Sequence, residues 1–180
     1  MDSSYIAGFF DGEGSAMALT IKRIISGRVM FRIRPVIKIA QGNREILDLI
    51  CSALGYGNVV SATQNCFAYQ INGNKSIIRF VDDIAHLTHI KRNQLYLLKE
   101  LSEFQDSNFP NRPYTYEAMV HMLDLRDKVF TANTWTRSRI MQKYSKTDVL
   151  KLHEFVDPVE WENNRREHLY NQRKRMGLKK

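Results

Sequence analysis

Two acidic side chains, Asp11 and Glu13, follow an apolar run near the start of the chain, in the stretch SSYIAGFFDGEGSA. The apolar spacing predicts a helix, although Gly8 and Gly12 each cost it about 1 kcal/mol relative to alanine. Glycines four residues apart share one helix face and let a second backbone approach closely. Carboxylates crowded at such a helix pair repel each other, and a divalent cation would relieve the repulsion. The same residues also fit a close-packed structural helix whose two acids are solvated.

The strands and helices predicted in the first 105 residues form the framework that positions this acidic segment. Alternating apolar residues predict two strand hairpins, and helical spacing with capping residues predicts the helices around them. The predicted order through residue 105 is α-β-β-α-β-β-α-α, an α+β arrangement. The predicted strands span 15–24, 28–41, 58–64 and 66–72, and the helices after the first span 43–54, 74–87 and 91–104.

The first hairpin carries charge of one sign. Apolar residues such as Phe31 and Ile33 alternate with basic ones in the second strand, and no acid occurs from Ser15 to Arg44. A two-stranded ribbon fits the major groove of DNA, where arginine binds guanine through two hydrogen bonds. We expect this face to bind DNA; a solvated charged face is the other interpretation. The residues expected to contact DNA are Lys22, Arg28, Arg32, Arg34 and Lys38, with Ser61, Thr63, Gln64 and Gln70 added by the second hairpin.

The composition is that of a basic protein with a sizeable core. The 180 residues include 27 Lys and Arg against 19 Asp and Glu, a formal net charge of +8. This charge favours nucleic acid as a partner, and a membrane surface is disfavoured because the basic patch is a strand pair rather than an amphipathic helix. The sequence shows no signal-peptide pattern and no apolar run that could span a bilayer, so we expect an intracellular protein with Cys51 and Cys66 as reduced thiols.

The second half of the chain has helical spacing. The predicted helices span 115–130, 137–144 and 146–155, after a segment with two prolines at 108–113. A further helix follows Asp157, with Pro158 at its first position and Glu160 placed to complete a capping box. The basic tail is expected to contact phosphates or to be a solvated end. We divide the chain into a core at 1–105, a helical extension at 106–164 and a tail at 165–180.

The segment Ile6–Gly14, IAGFFDGEG, closely resembles the signature of the LAGLIDADG homing endonucleases. Glycine at 12 replaces the more usual alanine, and glutamate at 13 replaces aspartate at a place where family members use either acid. The αββαββα order matches the family core, with its curved antiparallel DNA-binding sheet, so the resemblance covers about residues 1–105. The chain contains one copy of the motif. The resemblance implies a homodimer whose motif helices pack across a two-fold axis, with Gly8, Phe9 and Gly12 at the interface.

The resemblance also implies a chemistry, hydrolysis of both DNA strands with bound Mg²⁺, while Ca²⁺ would support binding without cleavage. Glu13 and the backbone carbonyl of Gly14 would be the metal ligands, and Asp11 would serve the structure of the helix end. Gln41 would position water or metal, unless it is a solvated strand-end residue. Lys91 would stabilise charge at the scissile phosphate, unless it only anchors a phosphate at a helix start.

The length of the basic ribbon sets the expected DNA site. Ten strand residues span about 33 Å and base pairs rise about 3.4 Å, so a two-fold dimer would recognise roughly 20 near-palindromic base pairs. Arg44 is a further candidate for contact with this DNA. Two alternatives within the family stay open, an RNA-splicing maturase and a DNA-binding protein that does not cut. A short chain with one motif favours an intron-encoded endonuclease.

Overall fold

A four-stranded antiparallel sheet lies at the centre of the protein in this computed structural model, which describes residues 1–25, 27–109, 113–132 and 143–175. The strands are β1 Gly14–Ile25, β2 Arg28–Gln41, β3 Asn58–Thr63 and β4 Cys66–Asn72, in the sheet order β1-β2-β4-β3. The helices are α1 Ser3–Glu13, α2 Arg44–Leu54, α3 Asn74–Ile84, α4 Arg92–Asn108, α5 Tyr116–Thr131, α6 Lys146–Leu152 and α7 Pro158–Arg175, with a 3-10 turn at Ala85–Leu87. The predicted α+β class and the αββαββα order are confirmed.

The helices cover one face of the sheet. Phe31, Ile33 and Ile37 of β2 are at most 2% exposed, whereas Arg32 and Arg34 between them are exposed. This alternation follows from the pleat of the strand, which turns successive side chains to opposite faces. The motif helix α1 joins this core through Ile6, Ala7 and Phe10, and the Phe10 ring packs edge-on against Phe80 of α3, with centroids 5.4 Å apart.

The helical extension shares the same hydrophobic core. Met122 of α5 and Val149 of α6 are fully buried in one cluster with the residues of α1 and β2. The buried guanidinium of Arg126 donates to Thr20 Oγ1 of β1 at 2.9 Å and to the carbonyl of Tyr144 at 3.1 Å, which ties α5 to the sheet. The domain limits 1–105, 106–164 and 165–180 stay a prediction. No helix in the described part of the chain is long and apolar enough to span a membrane.

The outer part of β2 has a strand on one side only. β4 pairs with Val36–Gln41, so among the described strands β1 alone pairs with residues 28–35. Pro35, which has no N–H to donate, lies in this part of the strand. Gln105 of α4 reaches the free edge and donates from Nε2 to the Ile33 carbonyl at 2.7 Å.

One predicted helix of the extension needs correction, and another lies mostly outside the described residues. The helix predicted at 146–155 is too long, because α6 ends at Leu152 and the next two residues hydrogen-bond to the free edge of β2. Most of the helix predicted at 137–144 falls on 133–142, outside the described residues. Ser145 and Asp148 form a reciprocal capping box at the start of α6, a signal that the sequence contained.

Candidate active site and nucleic-acid interface

Asp11 is a structural acceptor at the end of the motif helix. Its Oδ2 accepts the backbone N–H groups of His89 at 2.6 Å and Ile90 at 3.2 Å, and its Oδ1 accepts that of Lys91 at 3.0 Å. Partial burial acts to raise the pKa of Asp11, but these hydrogen bonds and the Lys91 charge outweigh it and lower the pKa below its ordinary value. The carboxylate thus joins the end of α1 to the segment that leads into α4.

Glu13, two residues later, has different surroundings. Its side chain is exposed at the end of α1 and forms none of the hydrogen bonds or ion pairs found among the described residues. The carbonyl end of a helix carries partial negative charge, so a carboxylate there is unfavourable without a cation. Glu13 is therefore an acid that the fold of a single chain does not use.

Gly14 connects the motif helix to β1 and lies very close to Phe10. Its N–H donates to the Phe10 carbonyl, and a Cβ at this position would lie 2.6 Å from that oxygen and overlap the Phe10 ring. Only glycine fits this turn, which holds the Gly14 backbone beside Glu13.

The donor set here suits Mg²⁺, which takes few protein oxygen ligands and keeps several waters. One free carboxylate and the adjacent Gly14 carbonyl are such oxygens. No group of three or more His, Cys, Asp or Glu side chains that could hold a metal occurs in the part of the chain that the structure describes. A cation at Glu13 would complete its coordination with water, phosphate or a second chain.

Lys91 lies against the last turn of α1. Its Nζ donates to the Phe10 carbonyl at 3.0 Å and to the Asp11 carbonyl at 2.6 Å. Burial lowers the pKa of Lys91, and the charges of Asp11 and Glu13 oppose that shift. An ammonium group has three donors, and these contacts occupy two. One donor of the Lys91 ammonium group is therefore left for a further acceptor.

Gln41 lies at the same end of the sheet. It is the last residue of β2, and because Gly14 pairs with Ile39, Gln41 extends just past the start of β1. Its Oε1 accepts the N–H of Gly42 at 2.8 Å. Arg44, at the first position of α2, pairs with Asp48 at 3.2 Å, an exposed contact. The structure thus places Lys91 against the last turn of the helix that ends at Glu13, with Gln41 at the same end of the sheet.

The strand register decides which basic side chains share the face opposite the helices. Paired residues of antiparallel strands point to the same side. Arg32 pairs with Ile21, and Lys38 pairs with Ser15 on β1 and with Gln70 on β4. Alternation with the buried apolar residues puts four predicted residues of β2 on this open face, Arg28, Arg32, Arg34 and Lys38.

Lys22 does not share this face. It pairs with Phe31, whose side chain is buried under the helices, so the prediction that Lys22 shares one face of the hairpin with Arg32 is wrong. Arg23 pairs with Met30 and is the basic residue of β1 that lies on the open face. The sequence contained the signal, because a two-residue turn pairs residue 25 with 28 and therefore 22 with 31.

A register shift separates the residues predicted on the second hairpin. Ser61 pairs with Phe67, which packs against the core, so Ser61 faces the helix side, opposite to Gln70, and its contact with DNA stays a prediction. The register is irregular between Ser61 and Thr63, and Thr63 pairs with Cys66, which shares the face of Gln70. Gln64 is exposed in the turn between β3 and β4.

A groove of about 420 Å³ continues the open face past the free edge of β2. Its cationic lining residues are Arg23, Arg32, Arg34 and Lys75. None of the four forms an ion pair with another described residue, and Asp106 is the one acid in the lining. Positive charge of this density suits a phosphate backbone.

One face of α1 is exposed in the part of the chain that the structure describes. Gly8 and Gly12 are exposed, and a Cβ built at either one would meet no atom within 4 Å. Tyr5 is 49% exposed and stacks on Phe9, with ring centroids 5.9 Å apart. Residues 5, 8, 9 and 12 have the spacing of one helix face. The predicted interface does not include Tyr5, although its spacing from Gly8 and Phe9 places it on the same helix face.

The sequence profile of the LAGLIDADG endonucleases matches residues 6–106, more than half of the chain. The chain belongs to the LAGLIDADG endonuclease family. Its motif is Ile6–Gly14, at α1 and the start of β1. No curated protein sequence matches the chain significantly.

Solved structures share the fold of this LAGLIDADG protein at low sequence identity. The homing endonuclease I-CvuI, in complex with the I-CreI target, is 20% identical, with a TM-score of 0.68 over 86% of this chain and 96% of that one. The archaeal intron-encoded homing endonuclease I-Vdi141I, complexed with DNA, is also 20% identical, with a TM-score of 0.68 over 83% of this chain and 92% of that one. These matches extend beyond the family profile, so part of the helical extension belongs to the shared fold.

Proposed function

We propose that this LAGLIDADG protein is a site-specific DNA endonuclease that works as a homodimer and hydrolyses both strands with Mg²⁺. The contrast between the two motif acids carries the proposal. Asp11 accepts three backbone N–H groups, whereas Glu13 is exposed and unpaired among the described residues, and Lys91 is held against the last turn of the same helix. A purely structural helix gains nothing from a free acid at its negative end.

Each residue near Glu13 has a role in this reaction. A bound divalent cation would polarise the scissile phosphate and lower the pKa of the attacking water. Glu13 and the Gly14 carbonyl would hold the cation, and the remaining N–H of Lys91 would donate to a phosphate oxygen as charge develops there. Gln41 orients water at the end of the sheet.

DNA as the partner is supported by the open face and by the relatives. I-CvuI and I-Vdi141I were both solved in complex with DNA, and I-CvuI complexes were obtained in the presence of Mg²⁺, with DNA not cleaved, and of Ca²⁺. Arginines on the open face read bases in the major groove, and phosphate contacts fix the position of the duplex. We leave Lys22 and Ser61 out of the proposed contacts because their side chains point to the helix side of the sheet. The proposed contacts are Arg23, Arg28, Arg32, Arg34, Lys38, Arg44, Thr63, Gln64 and Gln70.

The proposed homodimer is supported by one motif per chain and by the exposed face of α1. Packing that face against its copy would bury Tyr5 and Phe9 and bring the two backbones together at Gly8 and Gly12. The two Glu13 side chains then lie near the axis, one for each strand. Such a dimer requires a near-palindromic site of roughly 20 base pairs.

A randomised double-stranded DNA library tests the proposal directly. Purified protein is incubated with the library in Mg²⁺ and, separately, in Ca²⁺, and the cut and retained molecules are sequenced. We expect cuts in Mg²⁺ within one long near-palindrome, and retention of the same sequence without cutting in Ca²⁺. Retention in both ions without cuts would contradict the endonuclease and favour a DNA-binding protein. Absence of any DNA preference would favour an RNA-splicing maturase.

A further inference from the structure

Two residues of the helical extension cover the free outer edge of β2. The N–H of Val29 donates to Glu154 Oε1 at 2.8 Å, and the N–H of Phe31 donates to His153 Nδ1 at 2.9 Å. The N–H of Glu154 in turn donates to the Val29 carbonyl at 2.9 Å. We call His153 and Glu154 the edge clamp. They supply the hydrogen bonds that a neighbouring strand would otherwise make.

His153 is committed to this contact. Its side chain is 5% exposed and packs against Phe155, with ring centroids 4.4 Å apart. Because Nδ1 accepts a hydrogen bond, the ring is neutral and its proton is on Nε2. Nε2 is buried without a hydrogen-bond partner among the described residues. A buried polar atom without a partner is unfavourable. The hydrogen bond from the Phe31 N–H to Nδ1 is therefore the one polar contact of this ring among the described residues.

The next helix continues the contact along the same strand. Glu160 Oε1 accepts a hydrogen bond from Arg28 Nη2 at 3.0 Å. Asp157 Oδ1 accepts the N–H groups of Val159 and Glu160 at the start of α7, while the return bond from Glu160 to the Asp157 N–H, which a capping box requires, is not among the hydrogen bonds of the described residues. Backbone and side-chain contacts from 153–160 thus fix β2 from Arg28 to Phe31.

This part of β2 is the part that needs support. It is half of a two-stranded ribbon, which is marginal in water, and without the edge clamp its free edge would expose unpaired backbone groups. The other end of β2, next to Glu13, is paired on both sides. Bidentate recognition of a base requires a fixed strand, because the two hydrogen bonds allow little displacement.

We propose that His153 and Glu154 are positioning residues for DNA recognition. By fixing the outer part of β2, the edge clamp holds Arg28 and Arg32 in register with the base pairs farthest from the cut. Base discrimination at the ends of the site depends on the edge clamp, whereas discrimination near the cut and the rate of cleavage do not. This inference rests on the proposed function.

Hydrogen exchange of the free protein tests the contact itself. Glu154→Ala removes the acceptor for the Val29 N–H, and Glu154→Gln removes only the charge, since the amide oxygen still accepts. We expect exchange at the Val29 amide to speed up about tenfold or more in Glu154→Ala and to stay close to wild type in Glu154→Gln. Equal exchange in all three proteins would overturn the edge clamp. His153→Phe is the parallel variant, expected to release the Phe31 amide; if it does not fold, the Glu154 pair decides.

Sequence selection tests the role in recognition. The same library is selected by wild type, Glu154→Ala, Glu154→Gln and Glu100→Ala, an exposed glutamate on α4 that serves as the control for lost negative charge. We expect Glu154→Ala alone to lose about tenfold in preference at the outermost base pairs of each half-site, with inner preferences and cleavage rate at the best site unchanged.

The outcomes separate the two proposals. A wild-type protein without sequence preference overturns the proposed function together with this inference. A wild-type preference that Glu154→Ala reproduces at every position overturns only the inference. A uniform loss at all positions in Glu154→Ala also overturns it, because that result indicates general destabilisation.

Discussion

Alanine in place of Gly8 should have opposite effects on the single chain and on the dimer. In the single chain, a Cβ at Gly8 meets no atom within 4 Å, so the methyl group fits. Alanine is favoured over glycine in a helix interior by about 1 kcal/mol. The free energy of unfolding of the monomer should therefore rise by about that amount.

The same methyl group lies in the proposed contact between two copies of α1. Overpacking a close contact costs about 1–3 kcal/mol, and the two-fold axis introduces the methyl group twice, so the dimer should lose about 2–6 kcal/mol. That loss weakens association by at least about 30-fold. Sedimentation equilibrium measures the dimer, and urea unfolding at concentrations that favour the monomer measures the fold.

Ser52→Ala is the control for helix propensity, because Ser52 is exposed on α2 away from the motif helix. It should leave association unchanged. Gly8→Ala with wild-type association would refute the packing of α1 on its copy. A less stable Gly8→Ala monomer would instead show that the face is already covered within one chain.

Three further predictions concern single side chains. Asp11→Asn leaves one acceptor oxygen for three N–H groups, so urea unfolding should show a loss of about 1.5–3 kcal/mol; no loss would contradict the role of Asp11. Arg32→Ala should lose about 1–3 kcal/mol of base discrimination in library selection, whereas Lys22→Ala, on the other face, should not; equal effects would contradict the register. Burial lowers the pKa of His153 below its ordinary 6.5, and the charge of Glu154 opposes this shift. The stabilisation by neutral His153 is therefore complete above pH 6.5 and is lost as the pH falls through the folded-state pKa. Unfolding measured from pH 7 to 4.5 should show this slope, and His153→Phe should reduce it; an unchanged slope would exclude His153 as its source.

The sequence predicts the elements of the first 105 residues well because the local signals agree. β2 has the predicted bounds, and α2 has its predicted cap at Asn43 and a glycine with positive φ at Gly55. The faces of β1 were harder to predict. Alternation shows that Ala16 and Leu19 lie on opposite faces but not which one meets the helices. In the structure the small Ala16 is buried against them and the larger Leu19 is partly exposed.

Contacts between distant parts of the chain lie beyond the reach of sequence patterns. The roles of His153 and Glu154 depend on hydrogen bonds to residues 122 and 125 positions away. Local spacing at 146–155 favours a continued helix, and the free edge of β2 outweighs that preference. Similarly, the sequence indicates that the two motif acids differ, but the backbone N–H groups that bind Asp11 come from a segment 78 to 80 residues later.

The role of Glu13 is the centre of the account, and one substitution tests it. Glu13→Gln keeps the size of the side chain and removes the charge that would hold the cation. On the DNA site selected by the wild type, we predict that this variant binds in Ca²⁺ as the wild type does. In Mg²⁺ its cleavage should fall by more than about 100-fold, the upper end of losses seen when only outer-shell partners of a metal are changed. Cleavage by Glu13→Gln at the wild-type rate in Mg²⁺ would contradict the assignment of Glu13 as the metal ligand.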